Sequence, residues 1–444
     1  MNLPEQPQWI IEKLRQQGFE AYAVGGCVRD SLLGMTPHDW DICTSAKPEQ
    51  IKACFDGFQT VDIGIQHGTV AIVLDHIPYE VTTYRIDGEY ADNRHPSSVT
   101  FTSSLREDLA RRDFTVNAIA CNAAGEIADP FQGRRDLKNR LIRCVGNPDR
   151  RFEEDALRIL RALRFASCYR FQIEAKTAAA IHRHAGLLRR IAVERIQTEL
   201  SRLLCGDGVE QILNDYRDVI AVFVPELRET FDFDQHNPHH CYDVYRHIVH
   251  SVSLVPQEPL LRLTMLFHDI GKPRVCTVDM LGHCHFKGHQ QVSADIAVDV
   301  LRRLRFPTEL IHTCEQLVIY HDVRYNGEKS QIKRILNKLG EENFRRLFSV
   351  QYADTLSQSA YQREEKLRKL ALAQAQLEEI LCEQQCFSLR QLAVNGRDLI
   401  GAGVPQGMEI GRILHLLLED VIDEKLPNEK AALLAAAKEY SKKE

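Results

Sequence analysis

The sequence predicts a multidomain chain: a small mixed α/β head followed by an all-α remainder. Three observations carry this. Strand-like and helix-like runs alternate through about residue 145, the apolar period turns helical near Phe152 and stays so almost to the end, and 444 residues exceed what one core holds, so two to four domains are expected.

Taken in order, Trp9, Ile10, Ile11 and Leu14 recur at helical spacing before Gly18. Ala21–Val24 reads as a strand, and Gly25-Gly26 breaks it ahead of a short helix through Leu33. Residues 40–43 read as a second strand, and Ser45 can cap the next helix, with Pro48 tolerated in its first turn. Residues 69–74 and 79–84, on either side of Asp75-His76-Ile77-Pro78, read as a hairpin, and residues 116–121 as a further strand. Beyond the head, Leu157, Ile159, Leu160, Leu163 and Phe165 mark one helix and residues 192–204 another. Pro and His punctuation across residues 231–240 marks a boundary, a second helical unit runs to about Gln358, and a polar helix from Gln362 leads to a tail with Gly401, Gly403, Gly407 and Gly411. The division is therefore 1–145, 146–228, 229–358 and 359–444.

Composition excludes several classes. Hydrophobic residues at 44% and charged residues at 27% are ordinary for a globular protein. There is no run of eighteen apolar residues, and Met1-Asn2-Leu3-Pro4-Glu5 has neither a basic cluster nor an apolar segment, so no membrane partner and a cytoplasmic address are expected. The 13 cysteines include no Cys-x-x-Cys spacing, which argues against a disulfide framework and a zinc ribbon. The net charge of −6 hides a basic stretch from Arg134 to Arg170 that could meet a phosphate backbone.

The head carries a pattern suited to phosphoryl transfer. On a strand, Asp39-Trp40-Asp41 would set two carboxylates on one face, about 6 to 7 Å apart, able to share hard cations such as Mg2+. Gly25-Gly26 lets bare backbone approach a triphosphate at a helix start, with Arg29 as a cation one turn in.

Gly25-Gly26-Cys27-Val28-Arg29-Asp30, Leu33-Gly34, Asp39-Trp40-Asp41, the run Arg111 to Ala118 and the run Glu154 to Arg158 resemble, in order, the motifs of class II tRNA nucleotidyltransferases and bacterial poly(A) polymerases. The resemblance implies a polymerase β-like mixed sheet in a nucleotidyltransferase head, a helical neck and an RNA-binding tail. It also implies template-independent addition of CCA to the 3′ end of tRNA from CTP and ATP. By that likeness Asp39 and Asp41 hold catalytic Mg2+ with Glu80 as a supporting acid. Gly25, Gly26 and Arg29 hold the triphosphate, and Arg111, Arg112 and Asp113 read the ribose. Asp155 and Arg158, three apart on one helical turn, present an acceptor beside a donor fork to the base edge, and Arg161 assists. Residues 84–98, with Asp87, Gly88, Asp92 and Arg94, resemble the loop of enzymes that add the terminal adenosine. Addition of A alone and poly(A) synthesis are the alternatives within the class; a hydrolase or a non-catalytic RNA-binding protein are those outside it.

In the middle, His247, His268-Asp269, His289, His321-Asp322 and Asp354 offer imidazole and carboxylate ligands for borderline transition metals. His268-Asp269-Ile270-Gly271-Lys272 resembles the signature of the HD phosphohydrolases. That likeness implies one metal on His247, His268, Asp269 and Asp354, with His289 and His321 completing a second, and Asp322 competing with Asp354. In the tail, the stretch from Asp398 to Leu414 resembles the RNA-binding segment of related enzymes; its glycines serve backbone approach either to a neighbouring helix or to phosphate. Oligomeric state is not readable.

Overall fold

The computed structural model describes residues 1–88 and 98–442. Asp92 and Arg94 lie outside the described residues. The chain divides into two compact units, Met1–Arg228 and Glu229–Glu444.

The first unit is built on a seven-stranded mixed sheet. Its strands in chain order are β1 (Ala21–Val24), β2 (Ile42–Thr44), β3 (Thr60–Gly64), β4 (Thr69–Leu74) and β5 (Ile77–Thr83). A separate hairpin, β6 (Arg85–Asp87) with β7 (Val99–Phe101), follows, and then β8 (Ala120–Cys121) and β9 (Ile127–Ala128). The sheet order is β3-β4-β5-β2-β1-β8-β9. Within it only β2 and β5 run parallel, with Ile42 opposite Val81. That pairing, with the antiparallel pairing of Ala23 to Cys121, ties distant parts of the head together. Helix α1 (Glu5–Gln16) buries the predicted stripe Ile10, Ile11 and Leu14 completely. The turn between β4 and β5 is tighter than the sequence suggests: Asp75 (φ 50°) and His76 (φ 66°) turn in left-handed conformation, which Asp tolerates and which matches the twist of hairpin strands.

Three local expectations fail for physical reasons. Asp39, Trp40 and Asp41 precede β2 rather than lying within a strand, although Val24 N–H still donates to the Asp41 carbonyl at 2.9 Å. Residues 115–117 form a 3-10 turn, leaving only Ala120–Cys121 extended. Ser45 does not cap the helix α3 (Pro48–Cys54), which starts from Lys47; its hydroxyl accepts from Glu20 N–H at 2.9 Å instead.

Helices then take over. The helices Pro148–Glu154 and Leu157–Tyr169 are separate, because Asp155 is extended (φ −141°, ψ 103°). In the second unit the helices Val244–Leu254, Pro259–Phe267, His289–Arg303, Thr308–Tyr320 and Lys329–Ser357 pack on one another. The last of these is two helices joined at Gly340 (φ 73°, ψ 168°). Arg363–Cys382 packs along it, and Gly396–Gly401, Met408–Ile422 and Lys430–Tyr440 close a smaller core around Leu399, Ile413 and Leu417. Gly403 (φ 97°) and Gly407 (φ 127°) hold the turns between the first two of these helices, and a side chain at Gly396 would press on Ile410. Packing thus accounts for part of the tail's glycine pattern. Among the described residues no helix is long and apolar enough to cross a membrane.

Candidate active site

The head's acids meet at the mouth of the sheet. Asp41 leads into β2, and the parallel register that pairs Ile42 with Val81 brings Glu80 alongside it. Asp39, Asp41 and Glu80 are all exposed. Crowding by surrounding protein raises the Asp41 carboxyl above its ordinary range, Arg112 opposes, and the charge of Asp39 adds to the rise. Glu80 is raised too, by crowding and then by Asp41 and Asp39. Three carboxylates that repel one another in the open are the donor chemistry a hard divalent cation neutralises, so these residues fit Mg2+. Among the described residues they do not form a closed cage of three donors within 4.8 Å.

The arginines of the head are held by pairings that the sequence did not name. Arg29 is buried: its guanidinium donates to Asp30 at 2.8 and 3.0 Å and to Asn117 Oδ1 at 2.6 Å, and it stacks on Phe165 and Tyr169 at 5.0 and 4.9 Å. It clamps the helix α2 (Gly26–Leu32) to the helix Leu157–Tyr169 and is almost wholly enclosed. The guanidinium beside the Gly25 turn is that of Arg112. A side chain at Gly25 (φ 82°) would strike Arg112 Nη1 at 2.8 Å, Arg112 Nε is buried without a partner, and its Nη2 lies 3.6 Å from Asp108. The backbone angle of Gly25 is what favours glycine there, since the tip of the flexible Arg112 side chain would yield to a Cβ. The sequence reading set Arg112 with Arg111 and Asp113 at the ribose; the structure lays its guanidinium against the Gly25 turn.

Arg111 pairs with Asp108 at 2.8 Å. Asp113 is buried and fully engaged: Oδ1 accepts from Phe114 N–H (2.8 Å) and Asn117 (3.0 Å), and Oδ2 from Arg161 (2.8 Å). Burial would raise its carboxyl, but Arg161 and Asn117 hold it well below the usual carboxylate range. Asp113 therefore has no open acceptor for a ribose hydroxyl unless Arg161 moves. Asp155 is extended and does not lie in one continuous helix with Arg158, although Arg158 N–H donates to the Asp155 carbonyl at 3.0 Å. Asp155 accepts from Leu157 N–H (3.0 Å) and Arg195 (2.9 Å), while Arg158 donates to Glu154 (2.7 Å) and to the carbonyls of Arg151 (3.2 Å) and Arg111 (3.1 Å). Asn117 and Glu154 lie inside the quoted motifs but received no role there, and Arg195 was not singled out; each orients a residue that was.

The basic stretch splits in two. Arg134, Arg135, Lys138 and Arg140 are exposed on and after the helix Gly133–Lys138, whereas Arg143, Arg161 and Arg164 turn to Asp136, Asp113 and Glu199.

The second unit holds a denser donor set. His247, His268, Asp269 and Asp354, all buried, place ligand atoms within 4.8 Å of one another, and Asp269, His289 and His321 do the same. Asp269 bridges: Oδ2 lies 3.1 Å from His247 and 3.3 Å from His268, Oδ1 3.2 Å from His289 and 3.5 Å from His321. Asp354 Oδ1 is 3.0 Å from His247. His268, His289 and His321 each bond through Nδ1 to the carbonyl three residues back (Met265, Phe286, Val318), which turns Nε2 inward as a metal ligand requires. Asp322 instead accepts from Gln290 at 2.9 Å, so Asp354 is the carboxylate of the set. Burial alone would lower the His247 imidazole and raise both acids. Their mutual charges and hydrogen bonds override it, lifting His247 and holding Asp269 and Asp354 well below the usual range, with Lys272 at 2.7 Å from Asp269 contributing. A cavity of about 670 Å³ opens onto these donors.

Comparison with known proteins now bears on this geometry. A family model described as "Poly A polymerase head domain" matches residues 21–143, one described as "Probable RNA and SrmB- binding site of polymerase A" residues 170–229, and one for tRNA nucleotidyltransferase domain 2 residues 288–437. The chain is 37% identical over 445 residues to the CCA-adding enzyme of Levilactobacillus brevis, covering 98% of each. It is 51% identical to that of Enterococcus faecalis over 221 residues, 50% of this chain and 54% of the relative. Among solved structures, the Bacillus stearothermophilus CCA-adding enzyme in complex with CTP superposes with a TM-score of 0.73 at 30% identity, covering 100% of this chain and 98% of that one. The Thermotoga maritima enzyme complexed with tRNA shares the fold, with a TM-score of 0.61 at 21% identity and coverage of 97% and 94%.

Proposed function

The chain belongs to the CCA-adding enzymes, the class II tRNA nucleotidyltransferases, and from that premise we propose how its residues perform the reaction. It adds CCA to the 3′ end of tRNA from CTP and ATP without a nucleic-acid template. The observation that carries the site reading is the convergence of Asp39, Asp41 and Glu80 beside the Gly25–Arg112 approach.

In this reading Asp39 and Asp41, supported by Glu80, hold Mg2+, which when bound offsets triphosphate charge and favours in-line displacement. The backbone at Gly25-Gly26 lies along the phosphates, and Arg112 supplies the fixed cation. The RNA 3′-oxygen bonds to the α-phosphorus as the bond to pyrophosphate breaks, and catalysis comes from positioning and electrostatics. Asp155 and Arg158 read the base edge, each steadied by an ion pair, to Arg195 and Glu154 respectively. Asp113 and Arg161 act as one ion-paired unit beneath them, Arg111 steadies the loop through Asp108, and Arg29 locks α2 to the neck. The exposed basic residues 134–140 meet tRNA phosphates, and the reaction is placed in the cytoplasm.

The test offers the purified chain three tRNAs, ending before the first C, after one C and after both, with labelled CTP or ATP. CTP incorporation on the first two and ATP on the third is expected. ATP incorporation on the third alone, or long adenosine tracts, would overturn the reading.

A second activity is favoured by one specific observation, the two buried donor groups that share Asp269. We read the second unit as an HD-type phosphohydrolase on phosphorylated RNA ends, with His247, His268, Asp269 and Asp354 holding one divalent transition metal and His289 and His321 completing another. Water oxygen bonds to phosphorus while the ester P–O bond breaks, and the ribose oxygen leaves with a proton. Asp354→Asn is expected to abolish turnover of a cyclic phosphodiester with manganese, nickel or cobalt.

A further inference from the structure

The cavity over the second donor set is not closed by the donor helices alone. The helix Arg363–Cys382 lays Glu365, Lys366, Lys369 and Leu370 along its wall. Five basic and four acidic side chains line this space. Two of the five are already neutralised: Lys272 by Asp269 and Lys369 by Glu365, at 2.7 and 2.8 Å. Among the described residues Lys287, Arg324 and Lys366 have no carboxylate partner.

Lys366 stands apart from the other two by how it is held. It is half-buried, and its Nζ donates to Gln358 Oε1 at 2.5 Å and lies 3.4 Å from His239 Nδ1. The same Gln358 amide donates through Nε2 to Asp354 Oδ2 at 2.9 Å. One amide therefore fixes Lys366 to the carboxylate whose other oxygen faces His247. An unpaired ammonium is costly to hold in a partly buried place unless an anion is to be met there. Burial and the neighbouring Arg324 and Lys272 lower its pKa, while Asp354 and Asp322 favour the charge.

We propose that Lys366, with Arg324 across the same cavity, is the phosphate-recognition pair of the second site, and that the site takes a dianionic phosphomonoester in preference to a monoanionic cyclic diester. This rests on the reading of the second unit as a phosphohydrolase. The charge balance favours the dianion: five Lys and Arg side chains line the space against four acids, and each of those acids is engaged by a donor or a cation. A helix outside the donor set thus supplies the substrate grip.

The test uses the full chain loaded with Mn2+ and reads inorganic phosphate binding by calorimetry, metal content by elemental analysis, and turnover of a nucleoside 3′-monophosphate against a nucleoside 2′,3′-cyclic phosphate. Lys366→Gln is expected to weaken phosphate binding on the order of 10-fold and raise KM for the monophosphate similarly, with kcat and metal content kept. Lys366→Arg should restore most of the loss, and Arg324→Gln should weaken phosphate in the same direction. Phosphate affinity unchanged in Lys366→Gln, or wild-type preference for the cyclic diester, overturns the proposal while leaving hydrolysis standing. Lys366-dependent phosphate binding without turnover of either ester by the wild type supports the anion site and removes the hydrolase reading.

Discussion

Replacing Arg29 by Lys separates two roles that its position allows. Lysine keeps the charge and loses the fork. The hydrogen bond to Asn117 is buried and charge-assisted, worth about 2 kcal/mol. The faces of Phe165 and Tyr169 contribute about 1 kcal/mol together. The Asp30 pair adds less than about 1 kcal/mol because Asp30 is partly in solvent. A loss of about 3 kcal/mol in a unit of this size lowers its melting temperature by about 6 to 12 °C. Calorimetry should show that transition move while the transition of the second unit stays. KM for CTP should change less than about 3-fold, being set by Arg112 rather than Arg29. Arg112→Ala should do the reverse: KM for CTP up on the order of 10-fold, as for a lost charge-assisted phosphate contact, with melting nearly unchanged. A lysine variant that melts like the wild type and binds CTP poorly would refute the reasoning, and with it the division of labour between the two arginines.

Asp41→Asn is expected to lower incorporation of both CTP and ATP on the order of 1,000-fold without loss of folding, because Asp41 is exposed and supports no core contact; incorporation assays beside circular dichroism decide it. Asp113→Asn should cost about 2 kcal/mol at neutral pH by loosening the Arg161 ion pair. Because the Asp113 pKa is depressed in the folded chain, that stabilisation is present above the unfolded value of about 3.9 and fades as pH falls toward the folded value. Denaturant unfolding at a series of pH values should therefore show the gap between variant and wild type narrowing below about pH 4; a constant gap would contradict the ion-pair assignment. Arg158→Ala should relax discrimination against UTP and GTP while tRNA binding is kept, measured by competing labelled nucleotides, and unchanged selectivity would remove Arg158 from base reading.

The two units differ in how readily their chemistry could be read. In the second, ligand types were visible as His and Asp residues, and helical periodicity made their burial plausible. Their grouping was implied by the likeness to the HD signature; that Asp269 belongs to both groups was not visible, because the donors come from separate helices brought together only by packing. In the head, alternation revealed β4 and β5, since a half-buried hairpin writes its faces into the sequence with period two. The extended conformation of Asp155 left no such trace: Glu154 to Arg158 has the composition of an unbroken helix, and the break is sustained by Asp155 accepting from Leu157 N–H and pairing with Arg195.

What the sequence determined by itself was the order of elements, the turn at Gly25 and the kinds of groups available, because periodicity, backbone freedom and side-chain chemistry are local properties. Which group stands where was decided by tertiary structure. Parallel pairing of β2 with β5 set Glu80 beside Asp41, and the packing of the head set Arg112, rather than Arg29, against the Gly25 turn. Those relations join residues far apart in the chain, and only the packing of sheet and neck brings their charges within reach of one another.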